Sequence, residues 1–248
     1  MMKRILAVAV LAVLFGCGQK ANPEPEVVAE PAKVEEPAPP PVPAATPEEW
    51  KAALLATYKE DNVEDKGDGI TGFTACFALK EDGKCKTLSL ASRDAFRKLR
   101  FYKSGWLSAT GNGCPYVNSY VSVPDNDVPV LFLNPCYFSK DGWLFMEKVA
   151  IMVDGEVVLE RNFDDHGVKR DAESYGVQED YHFVATDADL QALRKISPAS
   201  KVLVRLTGKK GYVSVKPKDA EEFKKEIINA LYIFDTIKSA VSGHLPPA

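Results

Sequence analysis

Most of the local vocabulary of catalysis is missing from this chain. It has no Gly-x-Ser-x-Gly elbow, no Ser-x-x-Lys pair, no Cys-x-x-Cys and no His-Glu-x-x-His run. The contiguous signatures of common serine hydrolases, dithiol enzymes and zinc proteases are therefore absent. Histidine is scarce, at three residues. His244 lies in the tail, and His182 falls in a strand-like run where it reads as a packed side chain. His166, beside Asp164 and Asp165, is the histidine best placed for acid–base or metal chemistry, although a solvated loop charge has the same signature. A basic stripe is lacking too: 31 Lys and Arg face 35 Asp and Glu, for a formal charge of -4. Nucleic acid is not an expected partner. Glu64, Asp65 and Asp68 crowd a Gly-Asp-Gly run, but their spacing is not that of an EF-hand loop. No metal and no cofactor is expected, and no period of a repeat architecture is present.

Aromatic residues are missing altogether from Gly18 to Pro47, which instead holds nine of the chain's 17 prolines. Such a segment buries too little apolar surface to offset its ordering entropy, so residues 17–46 read as a disordered spacer. At about 3.1 Å per residue for proline-rich chain, it reaches up to roughly 90 Å.

The amino terminus carries the most specific signal. Lys3 and Arg4 precede an uninterrupted apolar run from Ile5 to Phe15, then Gly16 and Cys17. A charged start and an apolar run of this length form a secretory signal peptide, too short to span a bilayer comfortably. Leu14, Gly16 and Cys17 resemble the lipobox of bacterial lipoproteins, with Phe15 where that class usually has a small or β-branched residue. The resemblance implies removal of residues 1–16 and lipidation of Cys17, with several acyl chains that hold the protein stably on a membrane. It also implies the outer membrane facing the periplasm, because Gly18 stands where inner-membrane lipoproteins often carry Asp. Losing Lys3 and Arg4 takes the 31 basic residues to 29 against 35 acids, about -6 for the mature chain.

With 46% hydrophobic residues, the remainder suffices for one domain, residues 47–242, followed by a short tail, 243–248. Cys76, Cys85, Cys114 and Cys136 are an even set in an exported chain and read as two disulfides. Tyr116–Val123 and Val128–Leu133 alternate about Pro124-Asp125-Asn126-Asp127, a turn sequence. Antiparallel pairing about that turn makes facing residue numbers add to about 250, as Cys114 and Cys136 do. That assigns Cys114–Cys136 and leaves Cys76–Cys85, the latter needing a wide loop near Lys80.

Thr46-Pro47-Glu48-Glu49 is a capping box that opens a helix with Trp50, Leu54 and Tyr58 on one face. Asp61–Gly69 reads as a polar loop, Thr71–Leu79 as a strand, and Ser92–Lys103 as a helix on the spacing of Ala95, Phe96, Leu99 and Tyr102. Asp154-Gly155 is a type I′ signal between two apolar runs. Apolar residues on both faces of those runs predict strands covered on each side. Asp164–Asp180 reads as an irregular charged loop. Tyr181–Ala185 is a strand, and Thr186 caps a short helix. Val202–Leu206 and Tyr212–Val215 pair as a hairpin, and Asp219 opens a long final helix. The expected fold class is α+β: a mainly antiparallel β-sheet of six to eight strands with N-terminal and C-terminal helices and two disulfides.

One surface has the composition of a ligand platform. Tyr102, Trp106, Tyr116 and Tyr120 lie among Gly111, Asn112, Gly113 and Asn118, and rings beside amides suit sugars or peptides. With His166 these form the candidate ligand surface, and core packing accounts for part of the same rings. The sequence supports a non-enzymatic binding or assembly module, inhibitor-like modules included. It would be anchored through Cys17 and contact another envelope protein or peptidoglycan. The alternative is a wall-modifying enzyme that uses the His166 loop.

Overall fold

A computed structural model describes residues 45–104, 114, 117–215 and 217–246; Cys17 and the spacer lie outside them. Thr46 caps α1 (Pro47–Leu55): its side chain accepts from Glu49 N–H while the Glu49 carboxylate accepts from Thr46 N–H. Trp50 and Leu54 face inward, and Tyr58 continues that face past the helix end.

Two antiparallel sheets follow. The larger is built from β1 (Lys59–Gly67), β2 (Ile70–Leu79), β3 (Cys85–Asp94), β4 (Leu99–Ser104), β5 (Val117–Pro124) and β6 (Val130–Ser139) as a meander. β10 (Gly176–Asp180) then pairs with β6, β9 (Lys169–Glu173) pairs with β10, and the two-residue β11 (Phe183–Val184) also pairs with β6. The smaller sheet runs β13 (Gly211–Ser214), β12 (Val202–Gly208), β7 (Met146–Val153) and β8 (Glu156–Asn162). α2 (Asp187–Arg194) precedes β12, and α3 (Pro217–Val241) closes the fold. α3 packs on β4, β5 and β6 of one sheet, on β12 of the other, and on α1 and α2. Its apolar positions Phe223, Ile227, Ala230, Phe234, Ile237 and Val241 recur at helical spacing and join the central core.

The α+β class, the terminal helices and both disulfides agree with expectation. Val117 faces Pro135 and Ser122 faces Val130, so facing numbers add to 252, and Cys114–Cys136 closes just past the ladder with its Cα atoms 5.3 Å apart. Cys76–Cys85 is reached differently from expectation. Cys76 faces Leu88 and Cys85 faces Leu79, and register shifts between Cys76, Ala78 and Leu79 bring the two Cα atoms to 5.7 Å. Bulges, not a wide loop near Lys80, make that bond. Asp154 and Gly155 have φ of 49° and 96°, the two left-handed residues of a type I′ turn.

Several expectations are corrected. Ser92–Lys103 is the β3–β4 hairpin, not a helix. Asp94 accepts from Arg97 N–H to set the turn, Lys98 has φ 54°, and Phe96, counted on the apolar helical face, is 83% exposed. Asp61–Gly69 belongs mostly to β1, all nine of whose residues are exposed, so no burial pattern marks it as a strand. Residues 164–180 hold the charged β9–β10 hairpin rather than an irregular loop. The Tyr181–Ala185 strand shrinks to β11. β7 and β8 are covered on one side only. Across the other face Val157 is 49% and Leu203 37% exposed, beside a shallow cavity of about 190 Å³.

The junction where the chain passes from the larger to the smaller sheet is organised by Glu179 on β10. Its fully buried carboxylate accepts from Leu144 N–H (2.7 Å), Phe145 N–H (2.8 Å) and Met146 N–H (2.7 Å), with Arg170 Nε at 3.5 Å. Phe145 is thereby held at φ 54°, a left-handed conformation that costs a non-glycine residue about 1–2 kcal/mol. Gly208 closes the same junction. A Cβ there would stand 2.4 Å from the carbonyl oxygens of both Leu144 and Phe145. Backbone on both sides cannot yield cheaply, so Gly208→Ala is expected to cost about 3 kcal/mol, read as a lower thermal midpoint in a melting curve. A midpoint within error of the parent would show that the junction gives way freely.

Candidate functional site

Alternation along a strand sends Phe101 of β4, Tyr120 of β5 and Phe132 of β6 to the face of the larger sheet opposite α3. Tyr120 and Phe132 are directly paired, with ring centroids 4.9 Å apart and planes within 3°. Phe101 meets Tyr120 edge-on at 6.2 Å, and the Arg97 guanidinium sits 5.3 Å over the Phe101 ring. Leu90 (40% exposed) and Val184 (44%) flank the row. The result is a half-exposed aromatic surface on rigid strands, continuous across three neighbouring elements.

A polar chain pins this surface. Tyr120 Oη lies 3.3 Å from His182 Nδ1, and His182 Nε2 lies 3.2 Å from the Asp180 carboxylate. The hydrogen bond from His182 holds the Asp180 carboxyl below its ordinary range despite partial burial. Desolvation instead pushes the Tyr120 phenol up. An Asp–His–Tyr chain has the outline of a proton relay, but here both ring nitrogens of His182 are engaged and the phenol is made less acidic, not more. The arrangement orients rings; it does not prepare a nucleophile. His182 is therefore not the packed strand residue the sequence suggests: its side chain is 38% exposed and it lies between β10 and β11.

The residues expected to form a ligand surface separate into three groups. Tyr120 lies on the aromatic face. Tyr102 is 1% exposed and belongs to the core, with Tyr58 (5.6 Å), Phe73 (6.2 Å) and Phe77 (5.5 Å) around its ring. Its residue type fits a platform, but its strand register points it inward. Trp106, Asn112 and Tyr116 lie outside the described residues. His166 is exposed on the turn before β9. Its two acids are engaged elsewhere: Asp164 accepts from His166 N–H at 3.2 Å, and Asp165 pairs with Arg170 at 2.7 Å and Lys209 at 3.8 Å. The Arg170 hydrogen bond, more than Lys209, keeps the Asp165 carboxyl below its usual range.

Sequence reasoning missed Phe101, Phe132, Asp180 and His182. The pairing rule that located Cys114–Cys136 also brings Tyr120 near Phe132, and that signal was available. The same face cannot be assigned to Asp180 and His182 without knowing that β10 docks on β6. Gly67-Asp68-Gly69-Ile70-Thr71-Gly72 has the spacing of a dinucleotide-binding fingerprint, but it forms the β1–β2 hairpin turn. No helix begins there, so a phosphate would find no helix terminus. Among the described residues no group of three or more His, Cys, Asp or Glu side chains could hold a metal ion.

A second polar constellation lies on the inner face. Ser89, Ser104 and Ser119 on β3, β4 and β5 leave room for α3, which inserts Glu226 and Asn229 against them. Ser119 Oγ donates to Glu226 Oε1 at 2.9 Å, and Asn229 Nδ2 donates to Ser104 Oγ at 3.1 Å and Leu88 O at 3.3 Å. Glu226 is fully buried, and desolvation pushes its carboxyl up to about 7 although the Ser104 and Ser119 hydroxyls favour the charged form. These serines are 0–3% exposed with no histidine beside them, so the constellation locks a helix onto a sheet. No family model, no curated protein and no solved structure matches this chain.

Proposed function

We propose that this protein is an envelope lipoprotein, held through lipidated Cys17 on the outer membrane facing the periplasm, whose domain binds without catalysing. Its partner is another envelope protein or peptidoglycan, and a hydrolase-inhibitor-like mode of action falls within this reading. The spacer carries the domain away from the bilayer. The observation that supports binding most directly is the stacked Tyr120–Phe132 pair with Phe101, half-exposed on three adjacent strands. Rings on strands offer large contact area with few rotors to freeze, the economy that recognition surfaces exploit. The alternative, an enzyme working through His166, is disfavoured because Asp165 is committed to Arg170 and Lys209.

The test is retention of the full chain on purified cell-wall sacculi and, separately, its capture of proteins from solubilised envelope. Phe132→Ala combined with Tyr120→Ala is expected to weaken whichever association is found by at least about 10-fold, given about 0.5–1.5 kcal/mol per aromatic contact beyond area burial. An unchanged association would remove this face from the reading. Cys17→Ser is expected to move the chain from the membrane to the soluble fraction, and continued membrane retention would refute the anchor.

A further inference from the structure

A second candidate site lies on the opposite face of the larger sheet, under the end of α1. A cavity of about 220 Å³ opens there between Lys51, Tyr58, Glu60, Phe73, Arg93 and Arg100. Three features of its wall need a common explanation.

The first is a cross-strand pair of like charges. Arg93 on β3 directly faces Arg100 on β4. Like charges in that relation destabilise a sheet. Asp125 offsets this in part: it pairs closely with Arg100 and reaches Arg93 at 4.0 Å. Arg100 is otherwise committed, its guanidinium lying 5.9 Å over the Trp50 ring with its side chain 4% exposed. Arg93 keeps a side chain 45% exposed.

The second is the balance of charge. Lys51, Arg93 and Arg100 supply three cations, against the carboxylates of Glu60 and Asp125. One positive charge is left over beside a partly desolvated wall, where an anion would gain more than in water.

The third is a surplus hydroxyl donor. Tyr58 is 9% and Tyr102 1% exposed, and their hydroxyls neighbour each other. Neither reaches any other hydrogen-bond partner among the described residues. Two hydroxyls that face only each other can share one proton, and the second O–H has no acceptor. A buried donor without a partner costs about 1–3 kcal/mol. Burial raises both phenols, so each keeps its proton and remains a donor throughout the physiological range.

We infer that this cavity binds an oxyanion, a carboxylate or phosphate group of a small or extended ligand, held by the Arg93 and Lys51 cations and the Tyr58 hydroxyl. An oxyanion there would neutralise the surplus charge, separate the facing guanidiniums and accept the spare hydroxyl proton in a single event. The site is independent of the aromatic platform.

Isothermal titration of the full chain with inorganic phosphate and, separately, with acetate tests this. Single-site binding of either probe is expected, weakened at least about 10-fold in Arg93→Gln and about 3- to 10-fold in Tyr58→Phe. Both variants keep the fold's packing: the Arg93 side chain is already partly in solvent, and Tyr58→Phe retains its ring. Their melting midpoints should match the parent. Binding of phosphate alone marks a phosphate-bearing ligand, and binding of acetate marks a carboxylate. The inference is overturned if neither probe binds at millimolar concentration, or if binding survives both substitutions unchanged. Phe132→Ala on the outer face should leave the titration as it is.

Discussion

Glu179→Ala should be among the most damaging single substitutions in this domain, lowering its unfolding free energy by about 4 kcal/mol or more. The carboxylate is fully buried and is the acceptor for three consecutive backbone N–H groups, Leu144 to Met146. Truncation leaves those donors without an acceptor, at about 1–3 kcal/mol for each that is buried. It also leaves Arg170 facing an empty space and frees Phe145 from its left-handed conformation. Glu179→Gln keeps one acceptor oxygen but turns an amide N–H₂ toward N–H groups, so it should recover only part of the loss. Against a domain stability of about 5–15 kcal/mol, the alanine variant stands close to unfolding at 37 °C. Urea unfolding at fixed pH reads the effect as a shift in midpoint at constant slope. A loss below about 1 kcal/mol would show that water reaches these amides once the side chain is gone.

Glu226 gives the second large effect, and it is a dependence on pH. Its carboxyl is raised from 4.5 to about 7 in the fold because burial penalises the charge. A raised folded-state value means that the native chain holds a proton which the unfolded chain has released. The stabilisation is therefore complete below about pH 4.5 and is lost as pH rises through about 7. A shift of this size corresponds to about 3 kcal/mol, at 1.36 kcal/mol per unit. The parent should unfold progressively more easily from pH 5 to pH 8. Glu226→Gln should flatten that trend, matching the parent near pH 4 and exceeding it by about 3 kcal/mol at pH 8. Asp94, Asp165 and Asp180 have depressed values, so their contribution is lost at acid pH and lies outside this window. Denaturant midpoints measured across the range for both proteins decide the matter. A parent curve that is flat between pH 5 and 8 would mean that Glu226 is ionised in the fold.

How much of this was legible depends on where each signal resides. Elements that bury one face while obeying a local rule were readable. The Thr46 and Thr186 capping boxes, the Asp154-Gly155 turn and the apolar stripe of α3 all carry their reason within a few residues. The Cys114–Cys136 bond followed from hairpin arithmetic. What was lost is what local sequence does not encode. β1 buries nothing and β9 is an edge strand with little apolar content, so neither has a period to detect. The β3–β4 hairpin was masked by a chance helical spacing in which Phe96 takes no part in the core. Of the ligand surface, Tyr120 was readable as an outward ring. Tyr102 required the register to place it inside, and His182 and Asp180 required the non-local docking of β10 on β6.

The nine-stranded sheet ends in two open edges, β1 and β9. Both are written largely in charge: Lys59, Glu60, Asp61, Glu64, Asp65 and Lys66 on one, Lys169, Arg170 and Asp171 on the other. A second molecule adding its strand to either edge would have to bring these charges into register with its own, and β1 is further distorted by two bulges. The sheet thus carries its own stop signals at each end. Many copies could stand side by side at high local density without templating one another into a fibre.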